Sequence, residues 1–246
     1  MNKFSDEVEE RTRKNLGNVR LVETAREFLV ESAKARYSYN FHWLGRPIIQ
    51  YPQDIVAMQE LIWAIKPDLI IETGIAHGGS LIFYASMLEL NAICGGPTEA
   101  NVIGIDVDIR EHNKRAIIEH PLSRRITLVE GSSTDPEIVD IVQNQASLRQ
   151  TVLVCLDSNH THQHVLDELN LYAPMTTIGS YCVVFDTLIE QMPDDTYSDR
   201  PWGRGNSPLS AIDEFRIENT DFEIDRSFDG RTFISVAPRG FLKRIF

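Results

Sequence analysis

Two aspartates stand where a sheet edge could gather them. Asp157 directly follows the apolar run 151-TVLVCL-156, and Asp186 follows 180-SYCVVF-185. If both runs are strands, their carboxylates project at one edge and repel unless a cation or a proton lies between them. Mg2+ takes oxygen ligands in octahedral geometry and keeps several waters. Asp157 and Asp186, with Thr187 or the hydroxyls of a ligand, form a candidate set for it. A metal bound to a hydroxyl lowers the pKa of that hydroxyl.

A second group of candidates lies earlier in the chain. In 70-IIETGIAHGGS-80 an apolar run ends at Glu72 and is followed by Gly74, Gly78 and Gly79. Glycines between a strand and a helix permit positive φ and close approach of a ligand to the backbone. The spacing E-x-G-x-x-x-G-G differs from the G-x-G-x-x-G of dinucleotide-binding turns. Here His77 presents its backbone, Ser80 opens the next helix, and Glu72 organises the loop or accepts an amino group. The run 101-NVIGID-106 ends in Asp106, placed to accept two hydrogen bonds from ribose hydroxyls. In 130-EGSSTD-135, Ser133 and its neighbours border an adenine. A glycine loop followed by an acid at the next strand tip points to a nucleoside cofactor.

These residues need elements to carry them. Strands are expected at Leu69–Glu72, Asn101–Asp106, Ile126–Val129, Thr151–Leu156 and Ser180–Phe185, with helices between them. Apolar, β-branched strands alternating with amphipathic helices indicate a mostly parallel sheet covered on both faces, an α/β fold. Asp54 is read as the cap of a helix ending near Ile65. Phe222–Phe228 and Thr232–Ala237, separated by DGR, predict a C-terminal antiparallel hairpin. Residues 5–36 have helical spacing and form an N-terminal helical extension reaching to about residue 53. Residues 37–53 read as loop and residues 191–208 as a mobile lid. No linker divides residues 1–246 into two domains.

Together, 66-KPDLIIETGIAHGGS-80, 104-GIDVDIREHN-113, 157-DSNHTHQHV-165, 179-GSYCVVFDT-187 and 238-PRGFLKRI-245 give the chain a family resemblance over about residues 40–245. It resembles the cephalosporin hydroxylase and rhamnosyl O-methyltransferase family of class I S-adenosylmethionine-dependent methyltransferases. The resemblance implies a Rossmann-like fold, bound S-adenosylmethionine and a divalent metal, Mg2+, near an acceptor hydroxyl. It also implies O-methylation of a sugar in a surface polysaccharide, glycolipid or natural product. The layout is similar to that of metal-dependent catechol O-methyltransferases, which carry a general base three residues after the first acid. In this chain that position is His160, which would act with Asp157. Phe185 stands where some family members have a glutamate, so a second carboxylate on that strand is missing.

Two other functions compete. Asp157, His160 and either His162 or His164 would supply the two-histidine, one-carboxylate set of a non-haem iron hydroxylase. A methyltransferase fold can also persist as a non-catalytic binding subunit. The net charge of -12 argues against a nucleic-acid partner. Three cysteines at unrelated spacings and a charged N-terminus without an apolar core point to the cytoplasm. No apolar stretch approaches the ~18 residues of a membrane-spanning helix. The amphipathic N-terminal segment needs a surface to cover, which favours a homo-oligomer.

Overall fold

The computed structural model describes residues 3–246. Helices α1 (Lys3–Leu16) and α2 (Val19–Lys34) come first, and Asn18 caps α2 by accepting from Leu21 N at 3.1 Å. Residues 37–53, expected as loop, contain a 3-10 turn and the ribbon of β1 (Phe41–Trp43) and β2 (Arg46–Ile48). Trp43 anchors that ribbon: its indole N–H donates to Ser86 Oγ at 3.0 Å, and its ring meets Phe83 edge-on at 4.9 Å.

The alternating region then runs α3 (Pro52–Ile65), β3 (Leu69–Thr73), α4 (Gly79–Ile93), β4 (Asn101–Asp106), α5 (Glu111–Ile118) and β5 (Ile126–Glu130). It continues through α6 (Pro136–Ala146), β6 (Val152–Leu156), α7 (His162–Tyr172) and β7 (Tyr181–Val184). After α8 (Pro208–Glu218) come β8 (Phe222–Ile224), the short α9 (Asp229–Thr232) and β9 (Phe241–Arg244). The main sheet has the order β5-β4-β3-β6-β7-β9-β8. Strands β3 to β7 are parallel, and β9 runs antiparallel to both β7 and β8. Counted along the chain, the order is 3-2-1-4-5-7-6.

Strand alternation divides the core in two. Ile70, Val102, Leu153 and Val183 face one apolar cluster with α3 and α4. Leu69, Ile71, Ile103, Val152 and Val154 face the other, with α6, α7 and α8. Every residue of β3 and β6 is buried, the signature of parallel strands covered on both faces.

Two expectations are corrected here. The C-terminal hairpin does not form around DGR: residues 229–232 are helical, and the returning strand is Phe241–Arg244. Phe228 stacks on Phe241 at 4.0 Å, and Asp229 accepts from Arg239 N at 2.9 Å, so this segment folds back as a compact bend. Asp54 caps nothing. Helix α3 begins at Pro52, with Tyr51 at the cap position and no side-chain cap. The Asp54 carboxylate is fully buried and accepts from Ser235 Oγ (2.5 Å) and Val236 N (2.9 Å).

Candidate functional site

Strand order reverses between β3 and β6, and ligands of open α/β sheets bind at the carboxyl ends of the strands beside such a point. Asp157 N donates to Thr73 O at 2.9 Å, so the two strand ends are joined. Asp157, His160 and Asp186 converge there, with one donor atom from each within 4.8 Å of the others. His160 Nε2 lies 3.1 Å from Asp186 Oδ2. Burial holds the Asp157 carboxyl well above the usual carboxylate range, and Asp186, Glu72, Glu168 and Asp54 push it further. Two carboxylates and an imidazole in a crowded acidic pocket are a donor set that suits a divalent cation. Thr187, expected beside them, is buried, and its hydroxyl donates to Pro238 O at 2.7 Å.

Asp186 owes its place to an uncommon backbone conformation, with φ at 55°. Aspartate tolerates this left-handed region better than most residues. The turn redirects the chain out of β7 into the 3-10 turn Thr187–Gln191.

Glu72, one strand over, is fully buried. Ser80 Oγ donates to its Oε2 at 2.8 Å, whereas Oε1 has no hydrogen-bond partner. Burial raises its pKa from 4.5 to about 8 against the opposing effects of the Ser80 and Tyr84 hydroxyls, and Asp106 adds to the rise. Asp106 accepts from Ile75 N (3.0 Å) and Asp108 N (3.1 Å), which ties the glycine turn to β4. A carboxylate has about four acceptor positions, so Asp106 keeps capacity for a ligand. A buried, unpartnered carboxylate oxygen beside a second acid at a strand tip fits a cofactor carrying both an ammonium and a ribose.

The fold itself also requires these glycines, and Gly74 and Gly78 have the expected positive φ. A Cβ on Gly74, which has φ +81°, would collide with the Asp157 backbone, and one on Gly79 would strike Pro47. One on Gly78 would meet the Ile117 side chain. What approaches this turn so closely is the chain itself. The carbonyl of His77 accepts from Arg46 Nε (3.1 Å) and Nη2 (2.5 Å), so its backbone is held by the β2 end of the ribbon.

Ser133 belongs to a polar network behind β6. Its Oγ is 3.3 Å from His164 Nε2, and its carbonyl accepts from Tyr172 OH at 2.7 Å. Ser158 Oγ lies 3.0 Å from the same His164 nitrogen and donates to Glu168 Oε1 at 2.7 Å. Glu168 is fully buried and holds the His164 pKa above its usual value. Sequence reasoning missed Ser158 and Glu168, although the i, i+4 pairing of His164 with Glu168 is a readable signal. His162 turns away to Ser210 Oγ (2.8 Å) and Glu214 Oε2 (3.0 Å). Neither His162 nor His164 joins Asp157 and His160, so the iron triad is not assembled.

The segment between β7 and α8 reaches the site. Trp202 meets the His160 ring edge-on at 4.8 Å, and Arg200 lies 5.4 Å above the Trp202 ring. Glu190 closes the segment by accepting from Gly205 N (2.9 Å to Oε2) and Ser207 Oγ (2.6 Å). Trp202→Ala is expected to raise KM for the acceptor about tenfold, the equivalent of roughly 1.4 kcal/mol of lost aromatic contact. Cofactor affinity should stay unchanged, and steady-state kinetics beside calorimetric titration checks both.

Solved structures share this architecture. The apo structure of CmcI matches with a TM-score of 0.61 at 20% identity, covering 85% of this chain and 77% of that one. A CmcI structure described as Mg-SAM matches with a TM-score of 0.58 at 18% identity, covering 85% and 78%. The fold is that of a class I methyltransferase. At the level of sequence, the rhamnosyl O-methyltransferase of Mycobacterium tuberculosis is 31% identical over 193 residues, covering 78% of this chain and 73% of that protein. The Mycobacterium leprae protein of the same name is 27% identical over 206 residues, covering 82% of each. Residues 35–245 match the family described as Rhamnosyl O-methyltransferase/CmcI, and the chain belongs to that family.

Proposed function

We propose that this chain is an S-adenosylmethionine-dependent O-methyltransferase that modifies a hydroxyl of a sugar, with help from a divalent cation. The observation that carries the reading is the row of Glu72, Asp106, Asp157 and Asp186 at the carboxyl ends of β3, β4, β6 and β7, on either side of the point where strand order reverses. Family membership supports both methyl donor and sugar, since the curated relatives are rhamnosyl O-methyltransferases.

When bound, S-adenosylmethionine supplies an electrophilic sulfonium methyl, and a divalent cation lowers the pKa of the acceptor hydroxyl. Glu72 Oε1 accepts the cofactor's ammonium, and Asp106 accepts from its ribose. The glycine turn of Gly74 and Gly78, with His77 and Ser80, walls the methionine end, while Ser133 and its partner His164 border the adenine. Asp157 and Asp186 would hold the cation, with Thr187 or a hydroxyl of the acceptor beside them. His160 receives the proton of the hydroxyl: a ring whose Nε2–H is held by Asp186 presents Nδ1 as the base. Bound S-adenosylmethionine would give its methyl group to the hydroxyl oxygen and be left as S-adenosylhomocysteine.

The reading extends to a cytoplasmic, self-associating enzyme. Among the described residues no helix is long and apolar enough to cross a membrane. Helix α1 has no buried residue, and Val19 and Phe28 of α2 are exposed, which leaves a surface for a second copy. Sedimentation equilibrium tests that part.

Calorimetric titration of S-adenosylmethionine into metal-stripped protein, with and without Mg2+, tests the cofactor. Wild-type protein should bind in the micromolar range. Asp106→Ala should weaken binding about 10–100-fold, the loss of hydrogen bonds to a charged acceptor. Wild-type protein that binds under neither condition overturns the reading. A screen of neutral sugars with radiolabelled methyl donor then tests the acceptor.

A further inference from the structure

We infer that Asp54, a buried acid in α3 with no place in the proposed chemistry, is a positioning residue for the metal ligand Asp186. The inference rests on the metal reading of Asp157 and Asp186.

The Asp186 turn cannot hold itself. Its left-handed φ of 55° is disfavoured for a residue with a Cβ, and such conformations persist where neighbours over-determine them. On one side Phe185 N donates to Leu156 O of β6 (3.0 Å), and the other neighbours belong to one irregular stretch between α9 and β9. Val184 N donates to Gly240 O (2.8 Å), Thr187 Oγ1 to Pro238 O (2.7 Å) and Leu188 N to Val236 O (3.1 Å). These bonds grip the chain on both sides of Asp186, so with Phe185 fixed to β6 the placing of residues 236–240 sets the direction in which the turn leaves the sheet.

That stretch has no ladder of its own to fix its start. Asp54 fixes it. Its Oδ1 accepts from Ser235 Oγ (2.5 Å) and its Oδ2 from Val236 N (2.9 Å), while Ser235 Oγ accepts in turn from Ala237 N (2.9 Å). Val236 is the pivot: its N–H is held by Asp54, and its carbonyl holds Leu188, two residues beyond Asp186. Asp54 is fully buried, so these bonds face no competition from water. Both donors need an acceptor, and one carboxyl group offers an oxygen to each. Asparagine would turn an NH2 group toward one of them. This explains why the chain keeps an acid in an apolar setting, a burial that raises its pKa from 3.8 to about 7.

The test measures Mn2+ binding by the paramagnetic resonance signal of the free ion, in wild-type, Asp54→Asn and Ser235→Ala proteins. S-adenosylhomocysteine affinity is measured in parallel without metal. Groups that orient metal ligands are worth about 10–100-fold in affinity, so Asp54→Asn should weaken Mn2+ binding by that factor. Ser235→Ala, which removes one of the two anchors, should weaken it several-fold. S-adenosylhomocysteine affinity should stay within about twofold, since Glu72 and Asp106 lie on other strands; a purely structural role would lower both affinities together. Wild-type Mn2+ affinity in a folded Asp54→Asn protein overturns the inference. If that variant fails to bind S-adenosylhomocysteine at all, unchanged Mn2+ affinity in Ser235→Ala overturns it instead. A wild-type protein that ignores Mn2+ while binding S-adenosylhomocysteine removes the metal reading itself, and the inference with it.

Discussion

Asp157→Asn lowers kcat/KM for methyl transfer by about 10³–10⁴-fold, and Asp186→Asn does the same. The factor follows from the several kcal/mol that a metal contributes at a reacting oxygen, at about 1.4 kcal/mol per tenfold. The two acids act as one unit, so the double variant should lose little more than either single one. Stability should move the other way in metal-free protein. Asp157 sits in burial and in the field of Asp186, Glu72, Glu168 and Asp54, all of which oppose its charge. Folding must therefore keep a proton on Asp157 that the unfolded chain gives up, a cost that asparagine does not carry, so the metal-free Asp157→Asn protein melts no lower than wild type. Saturating Mg2+ stabilises wild type by about 2.7 kcal/mol at a hundredfold excess over Kd and leaves the variant unmoved. Differential scanning calorimetry beside an activity assay reads both effects. An Asp157→Asn enzyme that keeps a tenth of wild-type activity and still responds to Mg2+ would exclude Asp157 from the metal site.

How far the sequence discloses such a site depends on how local the signal is. Strands β3, β4, β6 and β7 are legible because both faces are covered, and buried parallel strands appear as apolar runs such as VLVCL and YCVV. Asp106, Asp157 and Asp186 are legible because each ends such a run. The returning strand FLKR is half charged and short, whereas the apolar alternation of 232–237 looks more like a strand and forms none. A left-handed Phe233 and the grip of Asp54 on Ser235 and Val236 bend that stretch out of the sheet. The Ser235 partner of Asp54 is 181 positions away, and no spacing rule reaches that far. Asp54 stands near the start of a helix, so an N-terminal cap was its local reading, and only tertiary packing overrides it. The glycine turn shows a related limit. Its composition reveals that something lies against the backbone, but not that Asp157, Pro47 and Ile117 do so before any ligand arrives.

Glu72→Gln weakens S-adenosylmethionine binding about 30-fold or more, since removing one side of a buried charge pair costs roughly 2–5 kcal/mol. The same change stabilises the ligand-free protein at alkaline pH. Burial lifts the Glu72 pKa from 4.5 to about 8, so the folded state keeps a proton that the unfolded chain gives up. For a raised acid, stability is full below about pH 4.5 and is lost as pH rises through about 8. Wild-type Tm should therefore decline across that window, while Glu72→Gln declines less and is more stable by roughly 2–4 kcal/mol above it. Cofactor binding reverses this balance. An ammonium set against Oε1 favours the carboxylate, so wild-type protein should release up to about one proton per cofactor bound near pH 7. Titrations in buffers of different ionisation enthalpy measure that proton directly. Glu72→Gln should release none, and buffer-independent heats in wild type would place the ammonium elsewhere. Glu72 would thus tie an unpartnered carboxylate oxygen near the end of β3 to a strain that the free protein carries and a bound cofactor relieves.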